Sequence, residues 1–160
     1  MIIVKKKVLF VSSTGGHLNE LMQLKKMFGR YDYHIITEKT KSNLALKEKY
    51  GDRVSFLVYG TKDHKVSYPF KLIYNCFKSL YLYLKIHPDY IVTTGVHTAG
   101  PICCLGKLFG SRLIYIETFA NINTKTITGK LLYPISDKFI VQWESLLKLY
   151  PDAIYGGWIF

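Results

Sequence analysis

Short apolar runs rich in β-branched residues punctuate this chain at Val8 to Val11, His34 to Thr37, Val54 to Val58, Tyr90 to Val92, Leu113 to Ile116 and Phe139 to Val141, with helical patterns between them. A strand that is apolar on consecutive positions must be covered on both faces, and strand–helix alternation delivers parallel strands with helices above and below. The pattern predicts an α/β fold with a single doubly wound parallel sheet, Rossmann-like. At 160 residues, with 49% hydrophobic and 21% charged residues, the chain fits one domain over 1–160 with a substantial core. It has no room for a second domain of the same kind.

The 22 Lys plus Arg against 11 Asp plus Glu give a formal charge of +11, which points to anionic partners: phosphates, nucleic acid or an acidic membrane surface. With 13 Tyr and 9 Phe, the aromatic content favours the membrane, where amphipathic rings and lysines sit together at headgroup level. No aromatic-plus-basic sheet motif supports nucleic-acid binding, so no nucleic acid is expected. Cys76, Cys103 and Cys104 suit neither a disulfide framework nor a zinc site, and imply a reducing compartment. The run Met1 to Val4 is too short for a signal-peptide core, and Lys5 to Lys7 lie on its wrong side. No stretch reaches the roughly 20 apolar residues of a spanning helix. The expectation is peripheral attachment at the cytoplasmic face of the cell membrane.

In open parallel sheets ligands bind beyond the carboxyl ends of the strands. After the first run stands Ser12-Ser13-Thr14-Gly15-Gly16-His17, leading into a helical pattern. Its glycines would let the backbone approach a phosphate at a helix start, although neither the dinucleotide fingerprint nor a Walker loop is present. The plainer alternative is a tight turn that binds nothing. After the fourth run stands Thr93-Thr94-Gly95-Val96-His97-Thr98-Ala99-Gly100-Pro101. Thr94, Gly95, His97 and Thr98 would add donors to the same crevice, favouring a pyrophosphate; the plainer alternative, Thr98 as a helix cap with Pro101 in the first turn, is compatible with that role. Glu117, after the fifth run, would face the crevice and orient an acceptor, or be a surface carboxylate. His17 and His97 are the histidines placed to act as a general base.

Two further segments carry candidate surfaces. Over Tyr68 to Ile86 the spacing of Phe70, Ile73, Tyr74, Phe77, Leu80, Tyr81 and Leu84 predicts the helix face that covers the sheet. Lys71, Lys78 and Lys85, with Leu72, Leu82, Tyr83 and Ile86, would then form an outer face that docks on anionic lipid. An ordinary crossover helix touching a partner is the alternative. At the end of the chain, Tyr155, Trp158 and Phe160 would form a partner-binding patch, or pack back as a last strand.

The three crevice loops, in this order, resemble the N-terminal domain of GT-B glycosyltransferases related to the bacterial peptidoglycan enzyme that adds N-acetylglucosamine to lipid I. Gly129-Lys130-Leu131, Ser136 to Trp143 and Tyr150-Pro151 are similar to the membrane-anchoring subunit of the eukaryotic two-subunit transferase acting on dolichol-linked oligosaccharide, and to capsule and exopolysaccharide proteins of that family. The resemblance covers essentially the whole chain. It implies a surface-polysaccharide glycosyltransferase subunit that is inactive alone. This subunit would bind a lipid-linked saccharide acceptor, with Ser13, Thr14, Gly15, Gly16 and Gly95 at its pyrophosphate, His17 as base and Glu117 positioning it. A separate donor-binding subunit would supply the nucleotide sugar. No cofactor and no metal are expected, the resemblance being to a metal-independent class. The eukaryotic subunit's N-terminal spanning helix has no counterpart here, and its His-Glu pair after strand five is Ile116-Glu117, so only the Glu carries over. The rivals are a purely non-catalytic anchor, and a nucleotide-cofactor enzyme in which Glu38 holds a ribose.

Overall fold

The computed structural model describes residues 5–60, 67–95 and 98–160. Its strands are β1 (Lys7–Val11), β2 (Asp32–Glu38), β3 (Val54–Leu57), β4 (Tyr90–Thr93), β5 (Arg112–Ile116), β6 (Lys138–Val141) and β7 (Ile154–Tyr155). All pair in parallel in one sheet of order β3-β2-β1-β4-β5-β6-β7. The six apolar runs fall in the first six strands. The two-residue β7, too short to leave a run of its own, extends the sheet at its edge.

The helices are α1 (Gly16–Gln23), α2 (Lys25–Phe28), α3 (Leu44–Tyr50), α4 (Ser67–Ile86), α5 (Gly100–Leu108) and α6 (Ile127–Leu132). Because side chains alternate along a strand, β1 sends Leu9 and Val11 to one core and Val8 and Phe10 to the other. The first core is closed by Leu82 and Tyr83 of α4, Ile102 and Cys103 of α5 and Leu132 of α6. The second is closed by Leu21 of α1, with Leu24 and Phe28, while Leu46 and Tyr50 of α3 pack at its margin. The chain winds outward from β1 to β3 with its helices on one face. It then returns through α4 to the other side of β1, and the right-handed crossovers place α4, α5 and α6 on the opposite face. Over β4 to β6, the face that carries α1 to α3 is met by Ile159 and Phe160 of the tail, and Val92, Ile114 and Ile140 remain half-buried there.

Helix α4 corrects the expected orientation. Its sheet-facing stripe is Asn75, Ser79, Leu82 and Tyr83, all buried, with Ile86 half-buried. Leu82 and Tyr83 are therefore core rather than docking residues, and the Tyr83 hydroxyl pairs with Ser111 Oγ at 2.8 Å. Asn75 belongs inside because its Oδ1 accepts from Val58 N–H and its Nδ2 donates to Val58 O, both at 2.9 Å, completing backbone bonds just past β3. The expected core residues Phe70, Ile73, Tyr74, Phe77, Tyr81 and Leu84 are instead exposed, Phe70 and Phe77 at 71% each.

Candidate functional site

The strand order reverses between β1 and β4, and a doubly wound sheet opens its binding crevice at that switch point. The loops after these two strands are bound to each other. Ser13 N–H donates to Gly95 O at 3.2 Å, and Thr94 Oγ1 donates to His17 O at 2.8 Å. His17 Nδ1 lies 2.9 Å from Thr94 O. A carbonyl oxygen only accepts, so Nδ1 carries the proton and Nε2 keeps its lone pair, the tautomer a general base requires. The imidazole is partly open to solvent, with 29% of its side-chain surface exposed.

Gly95 makes this approach feasible. Its φ of +98° lies in the region side chains rarely adopt, and a Cβ there would meet His17 at 3.8 Å and the Tyr115 hydroxyl at 3.5 Å. Gly15 caps α1 and Gly16 opens it, both exposed, with no acidic residue in the first turn. The N–H groups of a first helical turn have no intrahelical partner, which suits this turn to an anion. Ser13 and Thr14 serve instead to hold the loop. Thr14 N–H donates to Glu38 Oε2 at 2.9 Å, and Asn43 Nδ2 donates to Thr14 Oγ1 at 3.2 Å. Glu38 is 2% exposed, so its carboxylate supports the glycine loop from below and is not presented to a ribose.

Several expectations change at the other loops. Thr94 has no exposed surface and acts through His17 rather than on a ligand. Thr98 does not cap α5, whose N-cap is Ala99. Its buried Oγ1 finds no partner among the described residues, while Pro101 does occupy the first turn. His97 lies outside the described residues. Glu117 has 0% exposure and does not face the crevice. Its carboxylate accepts from Thr118 N–H at 3.1 Å and from the hydroxyls of Thr126, Tyr115 and Tyr150, at 3.0 Å for Thr126 on Oε2. Burial raises its pKa above the ordinary carboxylate value, and these four donors pull the other way. The same burial, with the neighbouring Glu117 charge, raises the Tyr115 and Tyr150 phenols. Gly129 completes the cluster: a Cβ there would stand 2.5 Å from Tyr150 Oη and 2.6 Å from Glu117 Oε2. Glu117 is thus the hub that fixes the loop from β5 to α6.

The residue that does reach the crevice from this side is Glu20, which sequence reasoning missed. Its Oε1 accepts from Thr118 Oγ1 at 2.7 Å and from Phe119 N–H at 3.0 Å, tying the loop after β5 to α1. Its Oε2 lies 3.8 Å from His17 Nδ1. The three-residue spacing of His17 and Glu20 on one helix was the available signal. The carboxyl-terminal motif has a structural part. Gln142 Nε2 donates to Glu117 O at 3.0 Å, its Oε1 accepts from Ile159 N–H at 3.1 Å, and Trp143 Nε1 donates to Phe119 O at 2.7 Å. The tail therefore packs back: Tyr155 extends the sheet, Phe160 is half-buried against the second core, and Trp158 stays 77% exposed while stacking on Phe119. Beside it, an apolar groove of about 500 Å³ runs over the sheet between Val8, Phe10, Leu24, Val92, Ile140 and Ile159.

A parallel sheet of this winding, with its crevice at β1 and β4, defines the class of fold: a doubly wound, Rossmann-like α/β domain. The chain superimposes on MurG of Acinetobacter baumannii with a TM-score of 0.69 at 17% identity, covering 88% of this chain and 42% of that one. It superimposes on a UDP-GlcNAc 2-epimerase of Methanocaldococcus jannaschii with a TM-score of 0.68 at 15% identity, covering 89% and 41%. It thus spans about two fifths of those chains. The profile of the family described as "Oligosaccharide biosynthesis protein Alg14 like" matches residues 8–159, and the chain belongs to that family. Similar proteins include the UDP-N-acetylglucosamine transferase subunits ALG14 of Candida albicans, 33% identical over 166 residues with 90% of this chain and 74% of that one covered, and of Rattus norvegicus, 29% identical over 175 residues with 94% and 81% covered.

Proposed function

We propose that this chain is the acceptor-side subunit of a two-component N-acetylglucosaminyltransferase that acts on a polyprenyl-pyrophosphate-linked saccharide at a membrane surface. The observation that carries the reading is His17, fixed by Thr94 O with no hydrogen bond to Nε2 among the described residues, at the mouth of a glycine loop that opens a helix. The acceptor's pyrophosphate rests at Gly15 and Gly16. An acceptor hydroxyl oxygen attacks the anomeric carbon of UDP-N-acetylglucosamine, its proton passes to His17 Nε2, and the bond to the diphosphate breaks with the electron pair leaving on UDP. The donor sits on the partner subunit across the crevice. Relatives described as transferase subunits support this division, and the half-buried face of β4 to β6 supports a partner in contact: the apolar groove by Ile159 takes an apolar helix or tail of the donor-binding subunit, with Trp158 and Tyr155 at its rim.

Among the described residues, no helix is long and apolar enough to cross a membrane. The exposed stripe Phe70, Ile73, Tyr74, Phe77, Tyr81 and Leu84 is the membrane-facing surface in this reading, extended by Leu108 at 77% exposure on the neighbouring α5. Lys78 packs over the Tyr74 ring at 5.6 Å, and Lys71 and Lys85 flank the stripe where headgroup phosphates would lie. The surface-polysaccharide context expected from the sequence gives way to oligosaccharide assembly by N-acetylglucosamine transfer, which the description of the family and the names of the relatives favour. Turnover tests the division of labour. The chain mixed with its donor-binding subunit transfers N-acetylglucosamine from UDP-N-acetylglucosamine to a polyprenyl-pyrophosphate-linked acceptor, and neither subunit does so alone. Full turnover by the isolated chain overturns the two-subunit reading.

A further inference from the structure

Glu20 combines features that its role as a loop tie leaves unexplained. One carboxylate oxygen is fully used by Thr118 and Phe119. The other, Oε2, is buried and has no hydrogen-bond partner among the described residues. It points toward the protonated nitrogen of His17, 3.8 Å away, one helical turn back on α1. A buried carboxylate oxygen without a donor is costly unless a positive charge arrives beside it. In the reading above, His17 becomes an imidazolium when it takes the acceptor's proton, so a charge does arrive at that place and only at that step.

We infer that Glu20 is a positioning residue for the transfer reaction, stabilising the imidazolium of His17 as the acceptor hydroxyl loses its proton. Thr94 O sets the tautomer in the resting state, and Glu20 supplies the counter-charge in the transition state. An unshielded carboxylate worth little to neutral imidazole and much to imidazolium is differential stabilisation, the kind that raises kcat rather than affinity. The second link of Glu20, to Thr118 Oγ1 and Phe119 N–H, carries the geometry of the loop after β5 to the base, so one side chain holds α1 and that loop in register.

The inference rests on His17 as base, and the experiment separates the two. In the assembled complex, with UDP-N-acetylglucosamine and a polyprenyl-pyrophosphate-linked acceptor, Glu20→Gln preserves an oxygen for Thr118 and Phe119 but removes the charge. It is expected to lower kcat by roughly 10- to 100-fold, no more than the ~10²–10⁴-fold contribution of the base itself, with the acceptor KM within about twofold of the parent and the melting temperature unchanged. Glu20→Asp, which keeps the charge on a shorter arm, is expected to recover part of that loss. In a His17→Gln background, Glu20→Gln is expected to add almost nothing, since the charge it would stabilise never forms. A Glu20→Gln enzyme with parental kcat, or an Asp variant no better than Gln, overturns the role of Glu20 while leaving His17 intact. Parental kcat for His17→Gln overturns the base assignment and this inference with it. If Glu20→Gln lowers the melting temperature and kcat together, and Asp restores neither, Glu20 is only a loop tie and the inference fails.

Discussion

Helices α1 and α4 both cover the sheet, yet they spend their residues in opposite ways. Helix α1 buries Leu18 and Leu21 and turns His17 and Glu20 to the crevice, as an amphipathic helix on an open sheet does. Helix α4 buries Asn75 and Ser79 beside Leu82 and Tyr83 and leaves seven large apolar side chains outside. Periodicity identifies a stripe but does not say what covers it. In α1 the stripe meets the chain's own core. In α4 the wider stripe is turned outward, and the narrower face that meets the sheet succeeds because Asn75 closes the backbone of Val58.

The contrast predicts that substitutions on the two faces of α4 do different things. Leu82→Ser, on the inner face, is expected to cost about 2–5 kcal/mol, read as a lower midpoint in urea unfolding. The triple change Phe70→Ser, Phe77→Ser and Tyr81→Ser is expected to leave that midpoint within about 0.5 kcal/mol of the parent per site. It should nevertheless reduce flotation with anionic vesicles by at least tenfold, given about 1.5–3 kcal/mol for each large apolar side chain withdrawn from water. Retained flotation would mean that α4 faces the partner subunit instead. At the crevice end, Gly129→Ala is expected to destabilise the fold by roughly 1–3 kcal/mol, because a Cβ would press on Tyr150, Glu117 and Thr126 at 2.5–2.7 Å. Thermal denaturation reads it, and an unchanged melting temperature would show that the Glu117 hub is loose.

The smallest effect lies at the far end of the sheet. His34, bonded to Ser55 Oγ at 2.9 Å, has its pKa lowered from 6.5 to about 4, first by burial and then by Lys47, Lys85 and Arg53, with Asp32 opposing. The unfolded chain takes up the proton at higher pH than the folded one. The contribution of His34 is therefore complete above 6.5 and is lost as pH falls from 6.5 through about 4. His34→Gln should flatten the pH dependence of unfolding in that window, and an unchanged slope would assign the acid sensitivity elsewhere.

Much of the scaffold was legible because its signals are local. Apolar runs buried on both faces marked six strands, and Gly15-Gly16-His17 and Gly95 marked the switch-point crevice. What escaped the sequence depended on contacts between distant elements. Glu117 looks like a crevice carboxylate until Thr126, Tyr115 and Tyr150 enclose it. Thr94 and Glu38 look like ligand groups until His17 and Thr14 claim them. Glu20 carries no motif, and only the fold of the loop after β5 onto α1 reveals what it holds. The tail's aromatic cluster divided, with Phe160 packed inward and Trp158 left outside, because the two-residue β7 redirects the chain.

In the proposed reading this chain contributes chemistry and does not merely anchor its partner. Single-turnover kinetics of His17→Ala in the assembled complex test it most directly, alongside a pull-down showing that the complex still forms. The expected result is a fall in the transfer rate of roughly 10²–10⁴-fold with assembly unchanged. A His17→Ala complex that assembles and transfers N-acetylglucosamine at the parental rate would contradict it, and would leave this chain as a non-catalytic anchor and activator.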